Sequence, residues 1–76
     1  MTMILQLYHR EECHLCEQAL ALLYRMGLSS SLQMIDIDAD MQLGVEFGLR
    51  IPVLAKADGR CLDWPFDEQA VRELLA

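Results

Sequence analysis

No apolar run in this sequence approaches the ~20 residues that a membrane-spanning helix needs. The N-terminus has neither the charged start nor the long apolar stretch of a signal peptide. Basic residues are scarce: Lys and Arg number 6 against 12 Asp and Glu, a formal net charge of −6. An acidic chain without a basic run does not suit nucleic acid or an anionic membrane, so neither is expected as a partner. Cysteine is scarce too, and its number, 3, is odd. A disulfide-stapled secreted scaffold usually carries a larger, even set. No linker, internal repeat or low-complexity stretch divides the 76 residues, beyond a loop-like Ser29-Ser30-Ser31. What is there is globular: hydrophobic residues make up 54% and charged ones 24%, which excludes a disordered tail or a collagen-like chain. The expectation is a single domain over residues 1–76, cytoplasmic and monomeric. So small a domain buries only about 60% of its unfolded-chain surface and depends on good packing or an added staple.

Residues 3–8 are short, apolar and bounded by charge, as a buried strand is. A polar loop, His9 to Glu12, follows. Leu15, Ala19, Leu22, Leu23 and Met26 then share one helical face, and Gly27 suits the C-terminal cap. Residues 32–37 alternate and read as a second strand. Residues 41–48 carry apolar groups at every second position, which argues strand. Asp38 and Asp40 as caps and Gly48 as a stop argue instead for a short helix, the reading adopted here. Residues 51–55 look like a strand opened by Pro52, and Asp58-Gly59 signals a hairpin turn. Residues 60–63 make the return strand, closed by Pro65. Asp67 can cap a last helix whose Ala70, Val71, Leu74 and Leu75 share a face. The order β-α-β-α-β-β-α predicts an α/β domain. A parallel strand pair and an antiparallel hairpin form one four-stranded mixed sheet, with helices on both faces.

Cys13 and Cys16 form a C-x-x-C where the polar loop enters the first helix. Residues at i and i+3 share a helix face, so the two sulfurs can close a disulfide with little backbone movement. The first sulfur meets unpaired backbone N–H groups and the positive end of the helix dipole, both of which favour thiolate. The thiolate is what attacks a disulfide or binds metal. Arg10, and His9 or His14 when protonated, act in the same direction; Glu11, Glu12 and Glu17 act against it. The chemistry implied is thiol–disulfide exchange, with Cys13 attacking and Cys16, deeper in the helix, resolving. A proline packed beside such a pair leaves neighbouring backbone groups free for an extended substrate, and Pro52 is the candidate.

These residues resemble the glutaredoxin-like branch of the thioredoxin superfamily. Tyr8-His9-Arg10-Glu11-Glu12-Cys13-His14-Leu15-Cys16 is similar to the glutaredoxin segment Y-S-K-x-W-C-P-Y-C, and Arg50-Ile51-Pro52-Val53 looks like the family's T-V-P strand start. The element order agrees along the whole chain, and the C-x-L-C site resembles that of a group of short glutaredoxin-like proteins. The resemblance implies a minimal thioredoxin fold, a cis Ile51–Pro52 bond and an oxidoreductase acting on protein disulfides or glutathione mixed disulfides. Glutathione would be substrate or reductant, and no other cofactor is implied. Arg10 stands where the family's Lys meets a glutathione carboxylate, and Ile51 where backbone pairs with the cysteinyl part. The family's G-G-x-D-D segment has Asp63-Trp64-Pro65-Phe66-Asp67 as its counterpart here. Asp67 keeps the capping position, while an acid and a bulky Trp64 replace the glycine pair.

Two other readings use the same residues. Cys13, Cys16 and His9, with Cys61 as a fourth, make a possible zinc ligand set, and two chains each giving Cys13 can share an iron–sulfur cluster. No second C-x-x-C or H-x-x-x-H supports a closed site, and no metal ligand is assigned. A non-catalytic adapter would instead bind a protein through a groove at Trp64. Cys61 reads as a buried small hydrophobe and the methionines as core fillers. His9 and His14 read as solvent-facing.

Overall fold

The computed structural model describes residues 4–76. Strand β1 (Leu5–His9) leads through a turn into helix α1 (His14–Arg25). A 3-10 turn (Ser29–Ser31) precedes β2 (Leu32–Asp36), and a second 3-10 turn (Ile37–Ala39) precedes helix α2 (Met41–Phe47). The hairpin β3 (Val53–Lys56) and β4 (Cys61–Asp63) leads to helix α3 (Glu68–Leu75). The sheet order is β2-β1-β3-β4, with β1 parallel to β2 and antiparallel to β3. This is the predicted α/β order with one mixed four-stranded sheet. Boundaries shift by a residue or two. Ile37 leaves β2 for the 3-10 turn, β3 opens after Pro52 rather than at Ile51, and Met3 lies outside the described residues.

Strand alternation sorts the side chains onto two faces. Leu5, Leu7 and Leu54 meet Ala19, Leu22 and Leu23 of α1 and Val71 and Leu74 of α3 in the main core. On the other face Tyr8 and Val53 meet Ile37, Leu43 and Phe47 in a smaller cluster under α2. Helices therefore cover both faces, but α2 has 7 residues and covers little of its face.

Local signals end the elements where the sequence places them. At the C-terminus of α1, Gly27 takes φ 76°, a left-handed conformation. Its N–H donates to Tyr24 O and that of Leu28 donates to Leu23 O, the paired bonds of a Schellman motif. Gly59, φ 94°, closes the hairpin.

Three expectations about side chains fail. Leu15 is 46% exposed, because the helix buries Cys16 and Ala19 and turns its neighbour outward. Met34 and Met41 are exposed rather than core fillers, although Met26 packs on the main core. Cys61 is exposed, because strand alternation places it on the α2 face, beyond the reach of so short a helix.

The ambiguous stretch is a helix, and its period of two has a physical origin. Leu43 and Phe47 point to the sheet, while Met41 and Val45 are exposed, as is Leu49 just past the helix end. Two stripes of spacing four, offset by two, imitate a strand pattern. Gly44 sits within this helix, and a Cβ there would meet only Ile37 O, at 3.8 Å. Gly44→Ala is therefore expected to stabilise the fold by about 0.5–1 kcal/mol, the helix-propensity difference. Thermal unfolding checks this: Tm should rise by about 4–8 °C per kcal/mol for a domain of this size. A lower Tm would show that the backbone at Gly44 cannot tolerate the methyl group.

Candidate active site

The strand register brings the site segments together. His9 pairs with Asp36, Tyr8 with Val53, and Val53 with Asp63. The residues just beyond these pairs, Arg10 to Cys13, Pro52 and Trp64, therefore share one end of the sheet. Helix α1 begins there.

Cys13 is the N-cap of α1, with φ −101° and ψ 102°, and its Sγ accepts a hydrogen bond from the Cys16 N–H at 3.2 Å. The other two helices start the same way with carboxylates. Asp40 Oδ1 accepts from Gln42 N and Asp67 Oδ1 from Ala70 N, each at 2.8 Å. At α1 a sulfur takes the place that an anion holds at α2 and α3. The N-terminal amides and helix dipole that favour those carboxylates act on the Cys13 sulfur too. Cys16 is only 5% exposed and Cys13 is half-buried. The two are joined as a disulfide with Cα atoms 5.2 Å apart. The preceding Glu12 takes φ 58°, a left-handed backbone that costs a side-chain-bearing residue about 1 kcal/mol. It turns the chain so that Cys13 meets the helix start; nothing in the sequence marks it.

Pro52 is fully buried and the Ile51–Pro52 bond is cis. A second cis bond, Trp64–Pro65, is one the sequence reading did not foresee. The backbone beside Pro52 is less open than expected. The Ile51 N–H donates to Phe47 O at 3.1 Å, because the end of α2 runs straight into this loop, and Pro52 O accepts from Trp64 N at 3.1 Å. The Ile51 carbonyl has no hydrogen-bond partner among the described residues.

Each remaining predicted residue is already engaged. Arg10 holds Asp38 through two nitrogens, at 2.9 and 3.3 Å. A substrate carboxylate at Arg10 would have to compete with Asp38. The side chain of Trp64 packs edge-on against Phe66, with ring centroids 5.1 Å apart. It lines a shallow cleft of about 410 Å³ along α1 with Gln18 and Arg25. Asp67 caps α3, as its position predicted.

Arg50 was not singled out from sequence. It grips Asp63 through two nitrogens, at 2.9 and 3.0 Å, and its guanidinium lies 5.1 Å from the Phe47 ring centroid. The hydrogen bonds from Arg50 hold the Asp63 carboxyl below the usual carboxylate range. The acid that replaces a glycine in the resembled segment thus ties the loop before Pro52 to β4. Cys61 lies two residues away, toward the hairpin turn, 3.6 Å from Arg50 Nη2. Among the described residues no three His, Cys, Asp or Glu side chains converge as metal ligands. The set Cys13, Cys16, His9 and Cys61 is not assembled.

A sulfur-capped helix start beside a cis-proline, on a β2-β1-β3-β4 sheet, defines a thioredoxin-like protein of glutaredoxin type. The chain belongs to the glutaredoxin-like domain family (DUF836), whose model matches residues 4–76. Two solved structures of protein XcR50 from X. campestris, both Northeast Structural Genomics targets, are similar to it. The X-ray structure has a TM-score of 0.84 at 44% identity, covering 93% of each chain. The solution structure has a TM-score of 0.83 at 44% identity, covering 96% of this chain and 92% of that one. The solution NMR structure of Ne2328 from Nitrosomonas europaea has a TM-score of 0.75 at 29% identity, covering 96% and 91%. No curated protein matches. Among the described residues no helix is long and apolar enough to cross a membrane.

Proposed function

We propose that this protein is a thiol–disulfide oxidoreductase, with Cys13 as nucleophile and Cys16 as resolving thiol. The observation that carries this reading is the Cys13 sulfur as N-cap acceptor, 3.2 Å from the Cys16 N–H, in a chain whose other helices are capped by carboxylates. In the reduced protein the Cys13 thiolate attacks a substrate disulfide. A bond forms between Cys13 Sγ and one substrate sulfur, and the other substrate sulfur leaves and takes up a proton. Cys16, deprotonated, then attacks Cys13 Sγ and expels the second substrate thiolate. The substrate gains two electrons, which the protein gives up as Cys13 and Cys16 close their disulfide, and a low-molecular-weight thiol or a dithiol protein then reduces that disulfide again. Ile51, with its unpartnered carbonyl, and Pro52 align an extended substrate beside the pair. Protein disulfides are the favoured substrates. Arg10 is held by Asp38, and no glycine pair bares the backbone before α3, so little is left to recognise glutathione. The protein works in the cytoplasm, where such pairs are kept reduced between turnovers.

Alkylation tests the reading. The rate of reaction of reduced Cys13 with iodoacetamide, followed against pH, should show a midpoint below the ~8.5 of an ordinary thiol. The direction follows from the helix start stabilising the charged form. An ordinary midpoint, together with no Cys13–Cys16 bridge after mild oxidation, would remove the basis of the proposal.

A further inference from the structure

The outer face of α2 carries apolar side chains that the fold does not use. Met41 is 88% exposed, Val45 84% and Leu49 104%. They follow one another at intervals of four, so they form one stripe. Singly exposed hydrophobes are ordinary on a protein surface, whereas a contiguous apolar patch of a few hundred Å² is often functional. Its position is what links it to the dithiol. At one end, Met41, Gly44 and Val45 form a shallow cleft of about 570 Å³ with Arg10, Asp38 and Asp40, and Arg10 begins the turn into Cys13. At the other end Leu49 is followed by Arg50, Ile51 and Pro52. The stripe thus runs from beside Arg10, at the turn that leads to Cys13, to the start of the loop that carries Pro52.

Charge around the stripe selects the occupant. Asp38 and Asp40 line the cleft at its Met41 end, and Glu46 follows Val45 on α2. The two arginines at its ends are already paired, Arg10 with Asp38 and Arg50 with Asp63. Each pair cancels one arginine against one carboxylate, so Asp40 and Glu46 are left to set the sign of the rim, which is acidic, as is the whole chain at −6. A second copy would bring the same acidic rim against it. Three side chains of this size offer on the order of 300 Å², well short of the roughly 800 Å² per partner that a stable interface uses. A transient substrate needs far less. We propose that the Met41–Val45–Leu49 face docks protein substrates whose disulfide lies in a short apolar segment flanked by Lys or Arg. This rests on the dithiol reading above, because it assigns the substrate class of that site.

The test uses two fluorescein-labelled peptides with the same Leu- and Val-rich centre, one with Lys at both ends and one with Glu. Each is made with a mixed disulfide at a central Cys and again with Ser at that position. The variant is Met41→Ser/Val45→Ser/Leu49→Ser, whose changes lie on exposed positions. With the Ser peptides, fluorescence anisotropy reads docking alone. The Lys peptide should bind the native protein at least about tenfold more tightly than the Glu peptide, about 1.4 kcal/mol. That preference should shrink with added salt and disappear in the triple variant. With the disulfide peptides, the variant should show a higher KM for the Lys peptide. Its rate on bis(2-hydroxyethyl) disulfide, which is small and uncharged, should not change. Equal binding of both peptides, or undiminished binding by the variant, overturns the docking proposal while leaving the dithiol reading intact. Failure of the native protein to reduce bis(2-hydroxyethyl) disulfide overturns the dithiol reading, and the anisotropy result still decides whether the face binds. Concentration-dependent self-association in sedimentation, lost in the variant, would assign the face to a second copy and overturn the proposal too.

Discussion

Cys13→Ser should lower the rate of disulfide reduction by at least about 10³-fold, the scale on which losing a covalent nucleophile is felt. The loss should not come from unfolding. Serine is a preferred N-cap residue and can accept the bond from the Cys16 N–H as sulfur does at 3.2 Å. Thermal unfolding of the variant against the reduced native protein should therefore show little difference. Cys16→Ser should behave differently. Its Cys13 remains capped and nucleophilic, but no thiol stands ready to resolve the first adduct. Incubated with a disulfide substrate, it should accumulate a mixed disulfide on Cys13, read directly as a mass increase. Burial explains why the roles are not interchangeable: Cys16 is only 5% exposed while Cys13 is half-buried at the helix start. An incoming disulfide meets Cys13 first. Retention of native activity by Cys13→Ser, or an adduct on Cys16 rather than Cys13, would reverse the assignment.

The parts of this structure that short-range physics controls were legible in the amino-acid order. Gly27 and Gly59 adopt the left-handed backbone their positions implied, and Asp40 and Asp67 cap the helices they precede. The C-x-x-C stands at a strand-to-helix junction, and that placement alone predicts the environment of Cys13. What stayed hidden depends on contacts between distant segments. The register alone decides that β4 presents Cys61 on the sheet face that α2 fails to cover. The Arg50–Asp63 pair joins residues 13 apart in sequence, and neither residue signals the other. The Arg10–Asp38 pair spans 28 positions and removes a free guanidinium that composition alone would have left beside the thiol. The period-two pattern over residues 41–49 misleads for a related reason. Periodicity reports which positions are apolar, and this helix is apolar on two sides, only one of which meets the sheet.

Phe47 is where fold and site meet, and its removal should be felt in both. The ring stacks on Tyr8 of β1, with centroids 4.2 Å apart, and fills the small cluster with Ile37 and Val53. Its carbonyl accepts from the N–H groups of Arg50 and Ile51, at 2.8 and 3.1 Å, and so holds the backbone that delivers Pro52 to the site. Truncating a buried Phe to Ala costs about 3–5 kcal/mol. A 76-residue domain has roughly 4–11 kcal/mol in all, at 0.05–0.15 kcal/mol per residue. Phe47→Ala should therefore lower Tm by about 12–40 °C. Below that transition the α1 start, which packs on the other face, should be unaffected, so the alkylation midpoint of Cys13 should match the native protein. The KM for a peptide disulfide should rise, because the Ile51–Pro52 backbone proposed to align it is no longer held against β1. Phe47→Leu, which keeps an apolar side chain over Tyr8, should recover most of both losses. If Phe47→Ala kept the native KM below its transition, the end of α2 would have no part in setting the Pro52 loop. The hydrogen bond from the Trp64 N–H to the Pro52 carbonyl, with those across the hairpin, would then be sufficient to position it.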